Sequence, residues 1–262
     1  MQMIITATLV VGVIGLLIGI MLVVAGRAFH VEVDEREVLV RECLPGNNCG
    51  ACGYAGCDAV AAAVVKGKAL PNACPVNTEA NAKKIGKIMG VEASSAIRQV
   101  AFVKCAGDCD STRNQCNYVG IEDCRAAELS GISIWECDYG CLGYGSCVKV
   151  CEYDAIHVVN GVAIVDSDKC RGCGLCAKAC PKHLIELIRA DKEVAVRCSN
   201  QDKGPAVKKA CSAGCIGCKL CMKQCEHDAI KVENNVAHID YEKCVGCKKC
   251  AEKCPSKIIT QL

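Results

Sequence analysis

From Met1 to Gly26 the chain holds no charged side chain and is rich in Ile, Leu and Val; Arg27 is the first charge. At about 1.5 Å of rise per residue this run predicts a helix long enough to span a hydrocarbon layer of about 30 Å. With no basic start and no small-residue cleavage site, it reads as a membrane anchor and not as a secretory leader. Gly15 and Gly19 stand in the small-xxx-small spacing that lets a second helix approach. An Ala- and Val-rich stretch after Cys57 predicts a shorter helix. Two later segments, Ala155 to Asp166 and Ala229 to Asp240, alternate apolar and polar positions around Asn160-Gly161 and Asn234-Asn235, and each predicts a β-hairpin.

The hairpins belong to an internal repeat. The stretch from Cys137 superposes without a gap on the stretch from Cys211, 74 residues on, pairing Cys141 with Cys215, Cys147 with Cys221 and Cys151 with Cys225. The register continues through Cys170, Cys173, Cys176 and Cys180, which fall on Cys244, Cys247, Cys250 and Cys254. Cys124 and Cys198 share the same offset in poorly matching surroundings. The pattern divides the chain into an anchor (1–26), an N-terminal segment (27–90), a linker (91–136), a first repeat (137–190), a connector (191–210) and a second repeat (211–262). The expected class is α+β.

Composition sharpens this picture. The 262 residues include 27 cysteines but only one tryptophan, six tyrosines and two phenylalanines, too little bulky apolar volume for a conventional enzyme core. A formal charge of +2 gives no basic bias toward nucleic acid. An odd count of closely set cysteines does not suit a disulfide framework; it suits thiolate ligands in a reducing compartment. Residues 27–262 are therefore expected on the cytoplasmic side of the cell's inner membrane.

In the second repeat, Cys215-x2-Cys218-x2-Cys221-x3-Cys225 and Cys244-x2-Cys247-x2-Cys250-x3-Cys254-Pro255 are the two runs of a bacterial two-cluster ferredoxin, in which the fourth cysteine of each run crosses to the other cluster. The expected sets are Cys215, Cys218, Cys221, Cys254 and Cys225, Cys244, Cys247, Cys250. The first repeat has Tyr144 where Cys218 would fall. Cys137 is the expected substitute, giving Cys137, Cys141, Cys147, Cys180 and Cys151, Cys170, Cys173, Cys176, with a three-iron cluster as the rival. Cys49, Cys52, Cys57 and Cys74, in a glycine-rich setting, form a fifth four-thiolate cage. Zinc is the alternative metal that spacing leaves open. Cys105, Cys109 and Cys124, with Cys198 or Cys211, are candidates for a sixth cluster. Cys43 and Cys116 read as small buried residues.

An oxidised [4Fe–4S] core with four thiolates carries −2, so five clusters move the formal charge from +2 to about −8. Against this, ten lysines face six acidic residues between Pro205 and Leu262, with Lys219, Lys223, Lys248, Lys249 and Lys253 in or beside the cluster turns. Such lysines offer a docking face for an acidic electron carrier. No dinucleotide fingerprint, phosphate loop, catalytic triad or paired-carboxylate motif is present, so the reading is electron transfer and not substrate chemistry.

The anchor, the segment LPGNNCGACGYAGC with Cys74-Pro75, and the ferredoxin repeats together resemble the B subunits of Rnf complexes, membrane-bound ferredoxin:NAD oxidoreductases that translocate sodium ions or protons. The resemblance covers nearly the whole chain. It implies two tandem 2[4Fe–4S] ferredoxin-like domains behind a single transmembrane helix and a small Fe–S domain. It also implies electrons received from reduced ferredoxin and passed to other subunits of the complex, with NAD reduced elsewhere. Uptake is expected at 211–262 and exit from the cluster nearest the membrane. Two alternatives differ in partner: a reductive activator of a corrinoid protein, and a tethered polyferredoxin with no obligate complex.

Overall fold

The computed structural model describes residues 2–28, 34–92, 98–131 and 133–261, except for the side chains of 3, 4, 7, 8, 10, 11, 28 and 261. Helix α1 (Gln2–Ala28) covers the uncharged run. Its described apolar side chains, Leu16, Leu17 and Met21 among them, are exposed, and a Cβ on Gly12, Gly15, Gly19 or Gly26 would meet nothing within 4 Å. Among the described residues no helix is both long and apolar enough to cross a membrane. The anchor thus stands as a reading of the sequence.

Three short helices follow: α2 (Glu35–Glu42), α3 (Cys57–Val65) and α4 (Glu79–Met89). Asp34 caps α2 by accepting from the Arg36 N–H, and Thr78 caps α4 by accepting from Asn81 N–H. The helices close on Val40, Val60, Val64 and Ile85, while 44–56 form an irregular loop over one end of that core. Asn48 Oδ1 accepts from Cys57 N–H at 2.8 Å, tying the loop to the start of α3.

The remainder is two ferredoxin-like units in tandem. Strand β1 (Gln99–Val103) opens the first, followed by α5 (Cys124–Leu129), α6 (Ser146–Lys149), the hairpin β2 (Ile156–Val159) and β3 (Val162–Val165), α7 (Leu175–Ala179) and β4 (Ile185–Arg189). The second unit runs β5 (Val194–Val196), α8 (Gly204–Ala210), α9 (Leu220–Gln224), β6 (Ile230–Glu233), β7 (Val236–Ile239), α10 (Lys249–Glu252) and β8 (Ile259–Gln261). In each, the first and last strands pair antiparallel, Val100 opposite Ile188 and Val196 opposite Ile259, and the inner strands form the hairpin expected from the alternation. Asn160 and Gly161, like Asn234 and Asn235, take the positive φ that a two-residue hairpin turn demands.

Two expected boundaries shift. β1 lies in the interval read as a linker and β5 in the interval read as a connector, yet each is the outer strand of its own unit. They also match each other: Val103-Lys104-Cys105 ends β1 as Val196-Arg197-Cys198 ends β5, at an offset of 93. The first unit is therefore 19 residues longer than the second between this strand and its first cysteine-rich turn, since the turns themselves are 74 apart.

The apolar cores are thin. The first holds Val100, Phe102, Ile156, Val162, Leu184, Ile185 and Ile188, the second Val194, Ile230, Val236, Ile258 and Ile259, and cysteines complete both. Such layers leave folding dependent on what the cysteines bind.

Candidate metal centres

In the second unit the cysteines gather as the ferredoxin pattern requires. Cys215, Cys218, Cys221 and Cys254 line one small cavity, and Cys225, Cys244, Cys247 and Cys250 line another. The first is closed by Val232, Ala237, Ile258 and Ile259, apolar residues of the hairpin and of the segment leading into β8. The turn around it requires Gly217: its φ is +65°, and a Cβ would stand 2.9 Å from Asn235 O. Gly143 repeats this in the first unit, with φ +76° and a Cβ 2.7 Å from Gly161 O.

The first unit departs from expectation in one of the thiols that line its cavity. Its corresponding cavity is lined by Cys141, Cys147, Cys180 and Cys124, not Cys137. Cys124 begins α5 in the 19-residue extension, and buried Ser146 holds it there. The Ser146 hydroxyl accepts from Cys124 N–H at 2.8 Å and donates to Asp123 Oδ2 at 2.8 Å, while Asp123 caps α5. Tyr144, where the repeat loses its cysteine, packs instead on Tyr118 of the same extension, ring centroids 5.5 Å apart. The extension thus brings in a thiol and covers the place of the lost one.

Cys151, Cys170, Cys173 and Cys176 form a further group, near enough for Cys151, Cys170 and Cys173 to raise the pKa of Cys176 after burial has done so. Cys52 and Cys57 act on Cys74 in the same way. The N-terminal loop is docked on the first unit, since Asn47 Nδ2 donates to the Tyr153 hydroxyl at 2.7 Å and Cys49 lies close enough to raise Cys173.

Cys137, expected in the first-unit set, lies with Cys105, Cys198 and Cys211 around a small cavity. Cys109 and Cys124, expected with Cys105, do not line it. Cys109 is exposed and sits over the turn at Gly161, where a Cβ would come within 2.6 Å of its sulfur. Cys43 packs at the edge of the N-terminal core, and the Cys116 thiol donates to Ser133 O at 3.3 Å.

The donor sets and the cavities suit clusters better than single ions. Zinc with Zn–S of about 2.3 Å draws four sulfurs to about 3.8 Å of one another, whereas among the described residues no three such side chains stand close enough to hold one metal ion. Burial pushes the Cys147 thiol up to about 12 and Cys176 and Cys221 up to about 11, with neighbouring thiolates adding to the rise. Bare thiolates are thus costly in these sites, and the positive charge of iron offsets that cost. Backbone N–H groups already point at sulfur: Ala101 to Cys170 at 3.3 Å, Ala155 to Cys151 and Leu184 to Cys180 at 3.5 Å.

Comparison with known proteins agrees. Residues 44–76 match an Fe-S cluster family, residues 163–186 a 4Fe-4S binding domain and residues 214–258 a 4Fe-4S dicluster domain. The chain therefore carries [4Fe–4S] clusters. It is 46% identical to the B subunit of the Na(+)-translocating ferredoxin:NAD(+) oxidoreductase complex of Acetobacterium woodii, over 89% of this chain and 71% of the relative. It is 43% identical to the B subunit of the proton-translocating ferredoxin:NAD(+) oxidoreductase complex of Clostridium ljungdahlii, over 92% and 85%. The B subunit of the ion-translocating oxidoreductase complex of Methanosarcina acetivorans is 39% identical over 94% of both chains. With relatives this similar over nearly its whole length, the chain belongs to the family of B subunits of ion-translocating ferredoxin:NAD(+) oxidoreductase complexes.

Proposed function

We propose that the chain is the electron relay of such a complex, taking electrons from reduced ferredoxin at its second ferredoxin-like unit and delivering them to neighbouring subunits from its N-terminal segment. The ligand sets are Cys49, Cys52, Cys57, Cys74; Cys151, Cys170, Cys173, Cys176; Cys124, Cys141, Cys147, Cys180; Cys215, Cys218, Cys221, Cys254; and Cys225, Cys244, Cys247, Cys250. A [4Fe–4S] cluster supplies reversible one-electron chemistry. The chain's residues supply the thiolates, the N–H donors that favour the more negative state, and the walls that keep water out.

The observation that carries the direction is an asymmetry between the units. Cys218 and Cys247 of the second are exposed. In the first, Tyr144 occupies the position matching Cys218 under Tyr118, and Cys173, matching Cys247, is half-buried beneath the N-terminal loop. A docking carrier therefore comes within reach of the second unit's sites, where Leu220, Met222 and Val245 add exposed apolar surface. Lys219 and Lys223 are exposed there without an ion pair among the described residues, whereas Lys249 is held by Glu226 at 2.5 Å and Lys248 by Glu193 at 2.7 Å. Lys219 and Lys223, with Lys253 beside Cys254, are the charges left among the described cluster-turn lysines to attract an acidic carrier.

At the other end, α1 extends about 40 Å, more than a hydrocarbon layer of about 30 Å, and its sequence, uncharged before Arg27, supports a single-pass anchor in the inner membrane with the thiolate sites on the reducing, cytoplasmic side. NAD chemistry belongs to a partner subunit.

Reversing Lys219 and Lys223 to glutamate in the intact, iron-loaded chain tests the docking face. The rate of ferredoxin oxidation falls at low salt and converges with wild type at high salt, where the field is screened. An unchanged rate at low salt would refute uptake at this face. Deleting 1–28 releases the chain from membranes; retention there would refute the anchor.

A further inference from the structure

Cys105, Cys137, Cys198 and Cys211 lie outside the two-cluster pattern of both repeats, yet they surround one cavity between them. Each unit contributes two, from equivalent places. Cys105 and Cys198 stand two residues past β1 and β5, and Cys137 and Cys211 stand four residues before Cys141 and Cys215. The hydrogen bonds repeat as well: Cys141 N–H donates to Cys105 Sγ at 3.4 Å, and Cys215 N–H donates to Cys198 Sγ at 3.2 Å. The other two sulfurs have side-chain donors. Asn200, 2% exposed, turns its amide to Cys137 Sγ at 3.4 Å while its Oδ1 accepts from Asp202 N–H, and the buried Thr112 hydroxyl donates to Cys211 Sγ at 3.5 Å.

Three buried thiols and a partly buried fourth gathered at one junction could be mere packing. Four separate donors aimed at four sulfurs argue otherwise, because a neutral thiol is a weak acceptor and each buried donor would be poorly satisfied. We infer that Cys105, Cys137, Cys198 and Cys211 hold a further [4Fe–4S] cluster shared between the two units, a site built by the repeat but present in neither half alone. As in the two ferredoxin-type sites of the second unit, four cysteines line one small cavity.

The position has a consequence for the relay, on which this part of the inference rests. Cys141 belongs to a first-unit set and Cys215 to a second-unit set, and each donates its N–H to a junction sulfur. The junction thus lies one hydrogen bond from a ligand of either unit. With Cys49 beside Cys173 at the far side, the six sites run in single file from the exposed end of the second unit to the N-terminal loop. Each electron that leaves a reduced ferredoxin passes singly along that file.

The test is iron and acid-labile sulfide per chain in the full-length protein, with Cys198→Ser/Cys211→Ser against Cys109→Ser as control. The double variant loses about four irons and four sulfides and the control none. Full iron in the double variant would overturn the inference. Should the double variant fail to fold, Asn200→Ala keeps all four thiols and removes one donor. It retains its iron and shifts one voltammetric wave to lower potential, and a full set of unshifted waves would equally overturn the site. Freeze-quench EPR after mixing with reduced ferredoxin adds the relay readout: reduced spins build up in the second unit of the double variant without reaching the first. If wild-type chain with full iron takes no electron from ferredoxin, the relay reading fails while the iron count still decides the junction site.

Discussion

Removing one hydroxyl, in Ser146→Ala, tests how the first unit obtains its replacement ligand. The Ser146 side chain is 7% exposed, accepts from Cys124 N–H at 2.8 Å and donates to Asp123 at 2.8 Å. Alanine leaves the N–H of buried Cys124 without an acceptor at the start of α5, a cost of about 1–3 kcal/mol. If that bond is already broken when the cluster escapes, the rate of loss rises by about five- to 150-fold. The assay is anaerobic bleaching of the visible iron–sulfur absorbance at fixed temperature, with iron counted afterwards. In a Cys124→Ser background the same substitution adds little, because the thiol it positions is gone. The pH dependence has a definite sign. The Ser146 hydroxyl is the chief cause holding the Asp123 carboxyl below its ordinary 3.8. A lowered carboxyl contributes stability above that value and loses it as pH falls through the folded pKa, so wild type keeps its full advantage at neutral pH and loses part of it in acid. Equal bleaching rates for wild type and Ser146→Ala at neutral pH would refute this account of Cys124.

Three further outcomes follow from the same structure. Tyr144→Cys in a Cys124→Ala background restores about four irons per chain relative to Cys124→Ala alone, since position 144 matches Cys218 in the repeat; no gain by iron assay would contradict the equivalence. Gly217→Ala, forced to φ +65° with its Cβ 2.9 Å from Asn235 O, costs about 1–3 kcal/mol and speeds cluster loss from the second unit, measured by the same bleaching assay. Burial, with Glu186 adding to it, pushes the Tyr241 phenol up to about 12. The folded chain therefore holds a proton that the unfolded chain releases near pH 10, and the associated stability is present below about 10 and lost as pH rises toward 12. Titration at 295 nm shows a late step that Tyr241→Phe abolishes, and its persistence in the variant would refute the assignment.

Much of the second unit was legible because its candidate ligands are local: two runs of cysteines at short spacing, with a hairpin between them whose turn residues, Asn234 and Asn235, take positive φ. Where a ligand comes from far along the chain, spacing misleads. Cys137 stands four residues from Cys141 and reads as its partner, but it faces the junction. Cys124 shares an offset of 74 with Cys198, yet the structural counterpart of Cys198 is Cys105, at the end of β1 and at an offset of 93. The strand endings Val-Lys-Cys and Val-Arg-Cys were the signal that would have revealed this, and with it the 19-residue extension that supplies Cys124. β1 and β5 were hidden for a related reason. Each is short and pairs with a strand at the far end of its unit, a contact that no local periodicity announces. Family membership in turn weighs against the corrinoid-activator alternative, which the motifs alone left open.

Anaerobic stopped-flow mixing of the full-length, iron-loaded chain with reduced ferredoxin, and separately with NADH, tests the relay most directly. Rapid oxidation of ferredoxin with no response to NADH is the expected result, with nicotinamide chemistry left to a partner subunit. Slow ferredoxin oxidation despite a full iron complement would contradict the account.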